Sequence, residues 1–404
     1  MHDVIVIGAG ISGLRCALDL EAAGVDYLII EKNSFVGGRC SSLRCDGFIL
    51  DRGFQVLLDS YDEVFSVMTE KDLGYQRFLS GALIDTDRGL RELFDPLKSP
   101  QKLRTAVSVL FSDIASFRDK WRLWNLSKAK SLLKEFDVQS STDNYFQATF
   151  TERFQEEFLR PFWGSVFLDY DLGIPMGHFF ELMKFFSAGF GGLPVNGMQS
   201  LPDQLFSQLT KDRVRLETSV VAINGSRVEL SSGEILEARK IILALPQEVV
   251  CRLMDYPQPV QSRSSACVYF AANNSPFELP ALRLNAKTDH EIVKLICIPT
   301  SIQPNYAPKE KVLITVNLNP QFDYGNPQVR RATHTELVEI FGRQVDQWED
   351  IEYMRIPNAL PDYQLHSHLE DMDYIACGDY SSTPSINNAF ASGRIAATKC
   401  LEDY

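Results

Sequence analysis

Residues Val4 to Glu31 read VIVIGAGISGLRCALDLEAAGVDYLIIE, and this stretch decides the fold. Val4-Ile5-Val6-Ile7 is a short apolar run of β-branched residues, the pattern of a strand covered on both faces. Gly8, Gly10 and Gly13 follow at GxGxxG spacing. The first glycine permits a tight turn, the second lets the backbone approach a pyrophosphate, and the third lets the next helix pack on the strand. The spacing predicts that helix over Ile11 to Ala23, with Leu14, Ala17, Leu18 and Leu20 on its apolar face and a phosphate at its N-terminus. Gly24 ends it. Tyr27 to Ile30 is a second buried strand, and Glu31 stands at its end, about 20 residues beyond the glycines, where a carboxylate accepts hydrogen bonds from ribose hydroxyls. Glycine spacing alone is weak evidence. The strand, turn, helix, strand and acid in this order make a βαβ unit for an ADP-containing ligand.

Outward from this unit, Val36-Gly37-Gly38-Arg39 places backbone N–H groups and a cation near the same pyrophosphate. Phe48 to Val56 reads as a strand entering a tight passage relaxed by Gly53. Residues 60–185 carry Leu, Phe, Lys and Glu at helical spacing, as in Lys102 to Phe117 and Ser127 to Phe136, which predicts a mainly helical insertion. Gly189 to Met198 crosses back. Val214 to Ile223 and Ile241 to Leu245 read as short strands. Strands are also expected at Ala266 to Ala271, Ile292 to Ile298, Val312 to Asn317 and Tyr374 to Cys377, with helices at Thr333 to Phe341 and Asn387 to Cys400. The fold class expected is α/β: a discontinuous Rossmann-type domain (1–60, 195–255 and 366–404) with an inserted α+β substrate domain (61–194, mainly helical, and 256–365, mainly sheet).

The 404 residues are too many for one typical core. A net charge of −13 argues against nucleic acid as a partner. The first strand is read from residue 4, so no leader is expected, and no apolar run approaches the roughly 18 residues of a membrane span. The eight cysteines include no CxxC, so reduced, buried thiols in a cytoplasmic protein are expected, and no metal site. His366 and His368 read as solvated loop residues. Segment 117–134 (FRDKWRLWNLSKAKSLLK) carries six basic residues and one acid around Trp121 and Trp124, a composition suited to an anionic membrane surface.

Near the other terminus, Gly378 to Gly393 reads GDYSSTPSINNAFASG, a strand-to-helix turn. With GAGISGL, Glu31, VGGR, DRGFQV, LPVNGM, SVVAI and ALP, in order along nearly the whole chain, it resembles the flavin-dependent amine oxidase superfamily. That group includes monoamine and polyamine oxidases, protoporphyrinogen oxidases, and phytoene and ζ-carotene desaturases. The resemblance implies FAD as cofactor. Gly8, Gly10, Ser12 and Gly13 would hold its pyrophosphate, Glu31 the adenosine ribose, and Gly38 and Arg39 the phosphates. Gly53, Phe54, Gln55 and Val56 would run beside the isoalloxazine, Val220 would contact adenine through its backbone, and Gly378 and Asp379 would meet the ribityl or phosphate region. Asn388 and Ala389 would aim N–H groups at the flavin's pyrimidine edge, where a helix N-terminus stabilises the charge of reduction.

The departures narrow the function. The strand that carries a flavin-facing lysine in amine oxidases reads Ser265-Ala266-Cys267-Val268-Tyr269-Phe270 here, and Ser381-Ser382-Thr383-Pro384 replaces their aromatic element. Met354 to Leu365 holds no cysteine, so FAD should be bound non-covalently. The DRGFQV and GDY segments are closer to carotene desaturases. With 26 phenylalanines, several at 147–167 and 179–190, an apolar substrate is expected. The reading is hydride transfer to flavin N5 from a hydrophobic, isoprenoid or polyene-like substrate, with Arg52 and Gln55 as the polar residues nearest the flavin. Redox-neutral isomerisation, amine oxidation and a flavin-sensing module are the alternatives.

Overall fold

The computed structural model describes residues 1–99, 102, 112–128, 140–255, 262–361 and 374–402. Most of the helices expected over 102–117 and 127–136 lie outside these residues, as do residues 129–134 of the basic segment, 362–365, His366 and His368.

The chain begins β1 (His2–Ile7), α1 (Ile11–Ala22) and β2 (Tyr27–Ile30), followed by β3 (Phe48–Asp51). A hairpin, β4 (Gly81–Thr86) and β5 (Gly89–Phe94), precedes three helices, α2 (Phe117–Lys128), α3 (Arg160–Phe167) and α4 (Met176–Ala188). The strands β6 (Val214–Arg215), β7 (Val220–Asn224), β8 (Arg227–Leu230) and β9 (Ile235–Leu243) come next. Then follow β10 (Arg263–Ala272), β11 (Leu282–Asn285), β12 (Val293–Cys297), β13 (Val312–Leu318), α5 (Pro327–Phe341), β14 (Glu349–Leu360), β15 (Ile375–Ala376) and α6 (Ile386–Leu401).

The first sheet runs β6-β2-β1-β9-β8-β7, with β15 beside β9. Its β1, β2, β6, β9 and β15 pairings are parallel. Val4 to Ile7 and all of β2 are buried, as strands covered on both faces must be. α6 lies on α1, and a Cβ on Gly393 would come within 2.3 Å of the Ser12 carbonyl oxygen. That glycine lets the last helix sit against the first, so the two termini of the chain build one layer.

The second sheet runs β14-β10-β13-β12-β11-β4-β5. It is antiparallel except where β11 lies parallel to β4, Leu282 opposite Ala82. Side chains alternate across it with period two. Cys267, Tyr269 and Ala271 of β10 join the large core, whereas Ala266, Val268, Phe270 and Ala272 face a separate core with Leu337 and Phe341 of α5.

One sequence expectation needs an addition and one a correction. The insertion read as mainly helical contains the β4–β5 hairpin, whose Thr86 to Gly89 turn joins strands completed only by distant β11. Val214 to Ile223 is not one strand. It splits into β6 and β7 on opposite edges of the first sheet. Glu217, at φ 51, breaks the extended run, and the Thr218 N–H donates to the Glu31 carbonyl at 2.8 Å as the chain crosses the ends of the parallel strands.

Candidate functional site

A cavity of about 1840 Å3 opens at the carboxyl ends of β1 and β2 and continues between α3, α4 and the second sheet. An ordinary small-molecule site occupies roughly 300–1000 Å3, so this one has room beyond a single ligand. Its wall includes Gly8, Gly10, Ser12, Glu31, Gly38, Arg39, Val220, Gly378, Asp379 and Ala389, together with the run Arg52, Gly53, Phe54, Gln55 and Val56. Gly13 and Asn388 are not part of the wall.

The three glycines have separate physical duties. Gly8 sits at φ 105, and a Cβ there would meet the Ala244 carbonyl oxygen at 2.3 Å. A Cβ on Gly13 would meet the Gly8 carbonyl oxygen at 2.0 Å, so this glycine serves helix-to-strand packing. A Cβ on Gly10 would meet nothing within 4 Å. Its missing side chain leaves open space on the cavity, at the start of a helix with neither an acidic first turn nor a side-chain cap. Such a cradle of free N–H groups and dipole fits a dinucleotide phosphate. Glu31 is fixed beside it: one carboxylate oxygen accepts the Ala9 N–H at 2.9 Å, and the other accepts Asn33 N at 2.9 Å and Asn33 Nδ2 at 2.7 Å.

Arg39 spans the chain, pairing with Asp379 at 2.5 Å and donating to the Ala359 carbonyl at 3.0 Å. Gln55 turns inward, its Nε2 donating to the carbonyls of Arg39 at 2.9 Å and Arg52 at 3.0 Å. Its amide nitrogen thereby braces the 52–56 passage, while the residue stays on the cavity wall. Arg52 is exposed, with Nε on Ser41 Oγ at 3.2 Å and its guanidinium 5.9 Å from the Phe35 ring centre.

At the start of α6 the free N–H groups lie two residues before the expected donors. The Asn388 N–H goes to Ser385 Oγ at 3.1 Å and the Ala389 N–H to the Ser385 carbonyl at 3.0 Å. The N–H groups of Ile386 and Asn387 are therefore the ones left without a partner among the described residues. Behind them, Asn388 Nδ2 donates to Glu181 of α4 at 2.9 Å, and Thr383 Oγ1 bridges Glu181 and His178 at 2.5 Å each. The wall helix α4 is thus tied directly to the cap of α6.

Asp51 escaped the sequence reading. It is 6% exposed, and its carboxylate accepts Ser42 Oγ at 2.6 Å, Met198 N–H at 2.8 Å and Tyr306 OH at 3.0 Å, with no cation among its partners in the described residues. Tyr269 OH donates to its carbonyl. Burial pushes this carboxyl up to about 6, against the pull of those donors. The only signal was an acid ending an apolar strand just before the passage.

The Phe-rich segments divide. Phe146, Phe150, Phe167 and Phe179 are core. A π-helical turn at Gln155–Leu159 leads into α3, and Phe154, Phe158 and Phe162 stack along it with ring centres 5.5 and 5.6 Å apart. These three, with Trp163, Phe186 and Met183, wall the cavity. All eight cysteines are free, and only Cys45 is not buried. Among the described residues no group of His, Cys, Asp and Glu is arranged to hold a metal ion.

The family model for flavin containing amine oxidoreductases matches residues 11–401. The chain is 24% identical over 269 residues to protoporphyrinogen oxidase 2, chloroplastic/mitochondrial, of Arabidopsis thaliana, which covers 56% of this chain and 52% of that protein. The match thus spans about half the length of that curated relative. A phytoene desaturase of Fusarium fujikuroi is 51% identical over 55 residues, 14% of this chain and 10% of its own. The solved structure of an oxidoreductase from Methanosarcina mazei shares the fold, with a TM-score of 0.73 at 16% identity, over 99% of this chain and 100% of the other.

Proposed function

The chain belongs to the flavin-containing amine oxidoreductases, and from that premise we propose that this FAD-dependent oxidoreductase dehydrogenates an apolar, isoprenoid-like substrate. One observation carries the reading: the cavity that begins at the glycine cradle continues into a chamber walled by Phe154, Phe158, Phe162, Trp163 and Phe186. The relatives that match by sequence include a protoporphyrinogen oxidase and phytoene desaturases, whose names point to large apolar substrates. Bound FAD would supply the oxidising chemistry as acceptor of a hydride from a substrate C–H bond, with a proton lost from the adjacent carbon and an external acceptor such as oxygen or a quinone taking the electrons from the flavin.

The chain's own residues would bind, orient and exclude water. Gly8, Gly10, Ser12, Glu31, Gly38, Arg39, Val220, Gly378 and Asp379 are assigned to the dinucleotide, with Gly13 as the packing glycine beneath it. Gly53 to Val56 and the start of α6 are assigned to the isoalloxazine. Attachment is non-covalent in this reading. Cys40 and Cys377 are the cysteines on the wall, and burial raises both thiols, Cys377 to about 12, which leaves no nucleophilic thiolate. The division into a nucleotide unit (1–60, 195–255, 366–404) and a substrate unit (61–194, 256–365) is supported by the two separate seven-stranded sheets.

Organic extraction of the purified yellow protein and mass spectrometry of the extract test the proposal. An isoprenoid that bleaches the flavin anaerobically supports it. A protein that stays colourless after FAD reconstitution, or one whose flavin is bleached by polyamines alone, overturns it.

The chamber mouth suits an anionic lipid surface. On α2, Phe117, Trp121 and Trp124 are 73%, 66% and 44% exposed at positions i, i+4 and i+7, on one helical face. Lys120 and Trp124 also line the cavity. The lone acid of the helix, Asp119, is buried, held by Ser116 and Thr151. Exposed aromatic residues among Arg118, Lys120 and Arg122 bind headgroups in this way. No helix among the described residues is long and apolar enough to cross a membrane. Co-sedimentation with phosphatidylglycerol vesicles should fall several-fold in a Trp121→Ala, Trp124→Ala variant. Equal sedimentation of the two proteins would refute the contact.

A further inference from the structure

Lys98 lies in the cavity wall and has no part in the roles assigned above. It follows β5, and its ammonium donates to the carbonyl oxygens of Phe186 at 2.8 Å and Gly189 at 2.5 Å, at the C-terminal end of α4. It also sits 5.3 Å from the centre of the Phe190 ring. Carbonyls at a helix C-terminus favour a cation. Two of the three ammonium hydrogens are used in this way, and neither partner carries a full charge.

No carboxylate reaches Lys98 among the described residues. The two acids whose charge is felt at the amine, Asp95 and Asp59, hydrogen-bond to other groups. Asp59 takes Arg77 Nε at 2.7 Å and the Phe190 N–H at 2.6 Å, and Asp95 accepts the Leu97 N–H at 2.9 Å. Burial pushes the Lys98 amine below the ordinary lysine range, the sign of a charge that its surroundings undercompensate. An unpaired cation in an aromatic wall is costly unless an anion comes to it. Lys120, which donates to the Ser112 carbonyl at 2.9 Å, adds a second cation to the same wall.

We propose that Lys98 anchors an anionic head group, so that the substrate is an amphipathic acid: an apolar body lying along the Phe158 and Phe162 rings and a carboxylate or phosphate on the lysine. This rests on the apolar-substrate reading above and deepens it. A cation at the chamber wall fixes the register of an otherwise featureless chain, because sliding the body by one C–C unit would pull the head group off the charge. Hydrophobic burial has no such preferred register.

The test uses the FAD-loaded protein and three probes with one body: geranylgeranoate, geranylgeranyl phosphate and geranylgeraniol. Binding is read from the perturbation of the flavin absorption spectrum. The proposal expects at least one of the two anions to bind roughly tenfold or more tighter than the alcohol, the factor that a desolvated charged hydrogen bond supports. The tighter of the two anions identifies the head group. Lys98→Gln keeps donors for the two carbonyls and removes the charge. It should abolish the preference while FAD content and the melting temperature hold, and Lys98→Arg should retain it. Equal binding of all three probes overturns the assignment and leaves the apolar-substrate reading standing, as does a preference unaltered in Lys98→Gln. Loss of FAD from Lys98→Gln also overturns it, since the lysine would then serve the cofactor. If none of the probes perturbs the flavin, the apolar-substrate reading fails and the inference falls with it.

Discussion

Gly10 and Gly13 belong to one motif, yet single substitutions at them should have opposite consequences. Gly10 has ordinary extended backbone, φ −71 and ψ 177, and open space where a side chain would stand. Gly10→Val should therefore fold with a nearly unchanged apo melting temperature and fail to retain FAD, which absorbance at the flavin band against protein absorbance would show. Gly13→Val would drive a side chain into the Gly8 carbonyl oxygen, 2.0 Å from its Cβ, and should yield little folded protein by circular dichroism. Asp51 makes a prediction about pH. Its folded-state value, about 6, lies above the 3.8 of an unperturbed aspartate. The native state therefore holds this proton more tightly than the unfolded chain does. The stability it contributes is fully present below pH 4 and lost as pH rises through about 6, a change of ~3 kcal/mol. Denaturant titrations of the parent should show that decline, and Asp51→Asn should lack it. Parallel pH profiles for the two proteins would contradict the assignment.

At the scale of the element, the N-terminus of α6 depends on a single hydroxyl. Ser385 Oγ accepts the Asn388 N–H, so Ser385→Ala should cost about 1 kcal/mol, the usual worth of such a cap. Because Ser385 lines the cavity, FAD affinity should weaken as well, and equilibrium dialysis of FAD measures this separately from the melting temperature. The same helix shows how element-level reading succeeds and where it slips. Its span was legible from the turn residues and the apolar pattern beyond them. Which N–H groups stay free was not, because that depends on whether the serine or its neighbour caps the first turn. The π-turn before α3 gives a second case. One extra residue in a turn shifts every following ring, and helical spacing alone does not reveal where such a residue is inserted. Val214 to Ile223 failed for a different reason. An apolar run carries no mark of a break when the break is one residue, Glu217, held in the left-handed region by hydrogen bonds to distant segments.

Taken whole, the described residues form two seven-stranded sheets and two small ones, and Arg39, which follows β2 of the first large sheet, donates to the Ala359 carbonyl on β14 of the second. Both residues of that contact line the cavity, so ligand binding and global stability should be linked. FAD at a hundredfold its Kd should add about 2.7 kcal/mol to unfolding of the parent protein and nothing to Gly10→Val, as thermal shift would show. The sequence by itself determined the nucleotide βαβ unit, the dinucleotide class and the family. Those features are written in residues within one or two turns of each other, where spacing fixes which groups can share a phosphate. Only the tertiary structure decided the rest. It joined β4 to β11 in one sheet, brought Gln55 inward, surrounded Asp51 with two hydroxyls and a backbone N–H, and set Lys98 against the end of α4 with no carboxylate in contact among the described residues. These outcomes depend on contacts between residues tens to hundreds of positions apart, and such contacts leave no periodic trace in the chain because each is set by the packing of whole elements.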